Sequence, residues 1–180
     1  MRIFKNISII NSVDLFCSTI GNEFIFEKGN VTNLLLPCFN IGFYENEINQ
    51  SEITKAIDRC YFLFENVVKC KVELSTYESI LPGQNGTIDF DGGKFDYNFD
   101  FGKNIKDSTI HELSGVCYRY NSFSYGSYTI ASKDLSVILL NESKFLNEYT
   151  SNESYKTDTS IQIFLSRQVS EYIDEIRKVF

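Results

Sequence analysis

The residues with the most obvious chemical potential are four aspartates in one short stretch. Between Thr87 and Phe101 the chain reads Thr-Ile-Asp-Phe-Asp-Gly-Gly-Lys-Phe-Asp-Tyr-Asn-Phe-Asp-Phe, which places Asp89, Asp91, Asp96 and Asp100 close together. Two opposed carboxylates can share a proton as general acid and base, and acidic loops can hold calcium through oxygen ligands. Neither chemistry fits well. Asp100 falls at the twelfth place counted from Asp89, but the fifth and sixth places are Gly93 and Lys94. A calcium loop of the helix-flanked kind needs Asp or Asn and then Gly there, with a bidentate Glu at the end. An exposed carboxylate pair, for its part, has no burial to push its two pKa values apart.

A second candidate is a nucleophile. Cys117 lies six residues after His111, the chain's single histidine. A Cys–His pair would supply a thiolate, provided that a third group orients the imidazole and an oxyanion site exists. No helix N-terminus adjoins Cys117 to lower its pKa. Alternation places Val116, Tyr118 and Tyr120 on one strand face, with Cys117 and Arg119 on the other, and His111 reads as a strand-end surface residue. Glycine-rich phosphate loops, the Gly-x-Ser-x-Gly elbow and His-Glu-x-x-His are absent from the sequence. The expectation is a non-catalytic chain with no cofactor and no metal site, and an enzyme built on Cys117 and His111 is the alternative.

The element that must position the aspartates is a hairpin. Apolar and polar residues alternate on both sides of Gly92-Gly93, the signature of two strands joined by a two-residue turn. With the glycines at the turn, Phe90 faces Phe95, Asp89 faces Asp96 and Ile88 faces Tyr97. One face is then apolar and the other acidic, and a slip of one residue would scramble the two. Like charges directly opposite cost up to about 1 kcal/mol, so the acidic face suits either solvent or a cationic partner.

Elsewhere the patterns predict two helices with strands between them. Asn49 to about Glu65 carries a capping arrangement (Asn49, Glu52) and an apolar stripe at Ile53, Ala56, Ile57, Cys60, Tyr61 and Phe64. A final helix starts at Asp158 or Thr159 and presents Ile161, Phe164, Leu165, Val169, Tyr172, Ile173, Ile176 and Val179. A shorter helix is expected from about Asn141 to Tyr149. Strands are expected at Arg2–Ile10, Glu23–Glu27, Val31–Leu36, Phe39–Tyr44, Val68–Leu74, across the Tyr-rich 110–131 region, and at Leu135–Leu140. Gly29-Asn30 and Ser132-Lys133-Asp134 read as turns, and Ser12–Ile20 is ambiguous between helix and strand. The fold class expected is α+β: a single domain over 1–180, with a mainly antiparallel sheet and two or more helices packed on one side.

Composition narrows the function. Of 180 residues 43% are hydrophobic, with 16 Phe and 11 Tyr, enough to build a substantial core. The net charge of −7 disfavours nucleic acid, whose phosphates require clustered Lys and Arg, and favours basic partners. Five cysteines at irregular spacing fit buried thiols better than a disulfide framework or a zinc ribbon. With no secretory leader pattern at the start and no apolar run of bilayer length, a cytoplasmic chain away from membranes is expected. Tyr118, Tyr120, Tyr125 and Tyr128 lie in a segment of aromatic and small polar residues, a composition favoured at binding surfaces.

Taken together, this profile resembles that of bacterial immunity proteins that neutralise toxin nucleases, including those of contact-dependent inhibition systems. The likeness lies in charge and composition, without a shared motif. It implies an acidic inhibitor, a monomer or weak dimer, that masks a basic toxin domain. Asp89, Asp91, Asp96 and Asp100 would be its charge contacts, and Tyr118, Tyr120, Tyr125 and Tyr128 its anchors. A phage or structural assembly protein whose hairpin mediates self-association is the other alternative.

Overall fold

The computed structural model describes residues 1–9, 13–15, 18–44, 48, 56–76, 94–101, 107–119, 122–146 and 159–166. These residues form a mostly β structure, which corrects the α+β expectation. Twelve strands join in one sheet: β1 (Arg2–Phe4), β2 (Val13–Asp14), β3 (Thr19–Ile20), β4 (Phe24–Lys28), β5 (Val31–Phe43), β6 (Ala56–Glu65), β7 (Lys69–Thr76), β8 (Lys94–Asp100), β9 (Thr109–Arg119), β10 (Ser122–Ser132), β11 (Asp134–Leu139) and β12 (Phe145–Leu146). The order is β1-β11-β6-β5-β3-β9-β10-β7-β8, with β2 and β4 beside β5 and β12 beside β6. All pairings are antiparallel except β3 with β9, so the sheet is mixed. A single helix, α1 (Thr159–Ser166), is present among the described residues.

The largest correction falls on the expected helix at Asn49–Glu65. Its described part, Ala56–Glu65, is strand β6, between β5 on one side and β11 and β12 on the other; the capping residues Asn49 and Glu52 lie outside the described residues. The physical reason is burial on both faces. Cys60, Phe62 and Phe64 enter one core, whereas Tyr61 and Leu63 enter a second on the opposite face. A strand covered on both sides reads as a continuous apolar run, and such a run also satisfies three- and four-residue spacing.

Similar logic explains the smaller differences. Residues 141–144 form a turn, and Phe145–Leu146 is strand β12, where a short helix was expected. The ambiguous Ser12–Ile20 segment contributes the two-residue strands β2 and β3. The two strands expected on either side of Pro37 are one strand of 13 residues. Its re-phasing point is Asn40, which takes the left-handed conformation at φ 60°. Before it Leu34, Leu36 and Cys38 face the first core, and after it Ile41 and Phe43 do. Asn tolerates this conformation better than a branched residue would, and one irregular residue can switch which side chains face inward.

Other expectations hold. Gly29, at φ 61°, turns the β4–β5 hairpin. β11 and the alternation of β7 are as read, with Cys70, Val72 and Leu74 inside and Lys69, Lys71 and Glu73 outside. The described turns of the last helix bury Ile161, Phe164 and Leu165.

The two cores divide the architecture. The first lies between the β11-β6-β5 half of the sheet and the β9-β10-β7 half, joining Phe62, Phe64 and Leu135 to Leu113, Tyr128 and Ile130. The chain crosses between halves at Asn66–Val68, where Val67 N donates to Thr32 O and Val68 N to Ala131 O. The second core lies under α1, where the Phe164 ring sits 5.3 Å from that of Tyr61. One half of the sheet therefore wears a helix on its outer face. No helix among the described residues is long and apolar enough to cross a membrane.

Candidate functional site

The outer face of β9-β10-β7-β8 is built by strict alternation. In β9 His111, Leu113 and Cys117 are buried and Ile110, Glu112 and Ser114 are exposed. In β10 Ser124, Gly126, Tyr128 and Ile130 are buried and Tyr125 is exposed. The register aligns these outward positions into cross-strand rows: Glu112, Thr129, Lys71 and Asn98 in one, and Ser114, Ser127 and Glu73 in the next, with Asp96 as the register partner of Glu73 in β8. Ile110 is 62% exposed and Tyr125 46%, high values for large apolar side chains in mid-sheet.

Beside this face runs a groove of about 610 Å³. One wall is Val13, Leu15 and Tyr44; the other carries the carboxylates of Glu73 and Glu112 with the hydroxyls of Ser114, Ser127 and Thr129. Lys71 Nζ pairs with Glu73 Oε1 at 2.8 Å across an exposed surface, a contact worth less than about 1 kcal/mol. Such a groove offers acceptors to a cationic or hydrogen-donating group, with Tyr44, 53% exposed, as an aromatic wall.

The residues singled out from sequence are placed as follows. Asp89 and Asp91, and with them the Asp89–Asp96 pairing, lie outside the described residues, as does Tyr120. Asp96 is opposite Glu73 in the register, and Asp100 opposite Lys69. Asp100 and Asn98 are exposed while Phe99 packs against the first core, so the apolar and acidic split holds in this part of β8. Tyr125 is on the outer face. Tyr118 and Tyr128 are buried, the first beneath α1 and the second between the halves. Glu73, Glu112 and Tyr44 were missed, because two of them read as the polar side of alternating strands and only the fold sets Tyr44 across from them.

The Cys–His alternative loses its geometry. His111 and Cys117 face the same way from one extended strand, six positions apart, which at ~3.3 Å per residue separates them by roughly 20 Å. Cys38, Cys60, Cys70 and Cys117 are all buried and not in disulfides. Cys38 and Cys60 are directly opposed in the β5–β6 ladder, and burial pushes both thiols above their ordinary range, with the neighbouring Cys60 and Cys117 adding for Cys38 and Asp58 for Cys60. These are core side chains. Among the described residues no group of three or more His, Cys, Asp or Glu side chains could hold a metal.

His111 corrects another expectation: it is 6% exposed, inside β9, with its ring 5.4 Å from Phe64 in an edge contact. Its Nε2 has no hydrogen-bond partner, and burial lowers its pKa from the usual 6.5. The unfolded chain then binds the proton more tightly than the folded one. Stability should therefore be unaffected above about pH 6.5 and fall below it, by at most about 1.4 kcal/mol per pH unit from this group. Urea unfolding at stepped pH should show this slope, and His111→Phe should flatten it; an unchanged slope in the variant would assign it to carboxylates instead. No protein-family model, no curated protein and no solved structure matches the chain.

Proposed function

We propose that the chain is a non-catalytic binding protein that captures a basic protein domain on the outer face of β9-β10-β7-β8, in the manner of an immunity protein that masks a toxin nuclease. The observation that carries this reading is the groove in which Glu73 and Glu112 stand among hydroxyls and beside an exposed tyrosine. Tyr125 and Ile110 on the same face provide the apolar anchors that binding surfaces need, and Asp100 adds charge at its β8 edge. The net charge of −7 would speed encounter with a cationic partner.

The test is capture by the tagged chain from the source cells, with washes across a salt series and identification of what is retained by mass spectrometry. A single basic protein held at low salt is expected. Glu73→Gln with Glu112→Gln should weaken its capture by about tenfold, equivalent to ~1.4 kcal/mol, and reduce the salt dependence. Tyr125→Ala should weaken it at every salt concentration. Recovery of the chain alone, as a stable oligomer by light scattering, would overturn the proposal in favour of self-assembly.

A further inference from the structure

The sheet divides along one seam. Strands β2 and β3 both pair with β5, but among the described residues only β3 goes on to pair with β9, at Val116 and Cys117. Over Thr109–Gly115 the described ladder of β9 is with β10. In an antiparallel pair every second residue turns its N–H and C=O away from its partner. This stretch of β9 therefore directs backbone donors and acceptors into the seam, and such an edge is a template for another strand.

A trough follows the seam. The groove of about 610 Å³ adjoins a cleft of about 270 Å³, and the two share Ile9 and Glu112. Together they run beside β9 from Thr109 to Ser114, a length of roughly 20 Å at ~3.3 Å per residue. The facing wall is Ile9, Val13 of β2, Leu15 and Tyr44. His111 brings into the same space a buried Nε2 with no hydrogen-bond partner, a further bond for whatever fills the trough.

We propose that an extended segment of the basic partner adds to the sheet here, pairing with the edge of β9 as a strand and closing the seam between β9 and β2. Main-chain bonds would hold it, and alternate side chains would select it. Those on its outer side join the row of Glu112, which stands where the two cavities meet and has no ion-pair partner among the described residues. The other charges are offset locally: Glu73 pairs with Lys71, and Asp134 is beside Lys133. Side chains on the inner side meet Ile9 and Val13 of the first core and Leu15 packed against it. The segment that fits alternates Arg or Lys with apolar residues. This inference rests on the docking reading for the charge of the partner and adds the mode of recognition.

A synthetic peptide separates the two. Acetyl-(Arg-Val)3-amide, six residues long to match Thr109–Ser114, should bind the isolated chain saturably by calorimetry. It should slow amide exchange in Thr109–Gly115 at least tenfold and shift the ring signal of His111, the single histidine. N-methylation removes backbone donors and leaves charge unchanged, so methylating either the valines or the arginines, whichever set faces β9, should weaken binding more than tenfold. Glu112→Gln should weaken it several-fold and flatten its salt dependence. No saturable binding, tolerance of both methylation patterns, protection elsewhere than β9, or full binding by the Glu112 variant would each overturn the inference. Capture of a basic protein from cells without these peptide effects would leave the docking reading standing and remove strand addition alone.

Discussion

Replacing Asp58 by alanine should lower the unfolding free energy by about 3 kcal/mol, with a melting temperature reduced by roughly 6–12 °C. This carboxylate is 6% exposed, and it organises the turn from β11 to β12. Its Oδ1 accepts from Arg59 N at 2.8 Å and from Lys144 N at 2.5 Å. Its Oδ2 accepts from Arg59 Nε at 3.2 Å. In return Asp58 N donates to Lys144 O at 2.9 Å. Ser143 completes the knot, accepting from Leu140 N and donating to Arg59 O. Truncation leaves the two backbone donors without their acceptor, which costs more than an exposed ion pair would. The Arg59 guanidinium also lies over the Phe164 ring, 5.7 Å from its centroid, so the loss should reach α1. Asp58→Asn keeps one acceptor oxygen and should cost about half as much. Urea unfolding measures both, and an alanine variant within about 0.5 kcal/mol of the parent would show that the network contributes little.

Gly21→Ala should be nearly as damaging, by about 2–3 kcal/mol, the cost of overpacking against backbone. A Cβ at Gly21 would clash with the carbonyl oxygen of Leu165 and stand 2.8 Å from Pro37 Cγ. The same junction holds α1 to the sheet, through Asn22 N donating to Leu165 O at 3.0 Å and Gly21 N to Pro37 O at 2.8 Å. The methyl group must displace either the helix or the strand, because a carbonyl oxygen in a helix cannot swing aside. Exposure of Phe164 and Tyr61 should follow, read as faster amide exchange in α1. Gly29→Ala is the informative comparison. Nothing lies within 4 Å of its added Cβ, so only its φ of 61° is strained, at about 1 kcal/mol. Equal losses at the two positions would mean that conformational strain, and not helix contact, explains Gly21.

Strands whose two faces meet different media were legible in the residues alone. Lys69 to Leu74 alternates because one side meets solvent and the other the core, and that pattern survives any arrangement of the neighbours. The β4–β5 turn at Gly29-Asn30, the strand at β11 and the start of α1 were local in the same sense: a turn glycine, an apolar run and a helical stripe each encode themselves.

Tertiary structure alone decided β6, since the burial of Tyr61 and Leu63 depends on α1, about a hundred residues further along the chain, and periodicity cannot see a layer that distant. It likewise decided that Tyr118 and Tyr128 are core residues while Tyr125, from the same tyrosine-rich segment, is surface. The acidic character of β8 could be read directly, but its neighbours could not: pairing with β7 sets Asp100 against Lys69 and Asp96 against Glu73. The two clefts belong to the same class. Each joins residues from the first fifteen positions to β9 and its neighbours, and a sequence carries no local signal for a surface that exists only where distant strands meet.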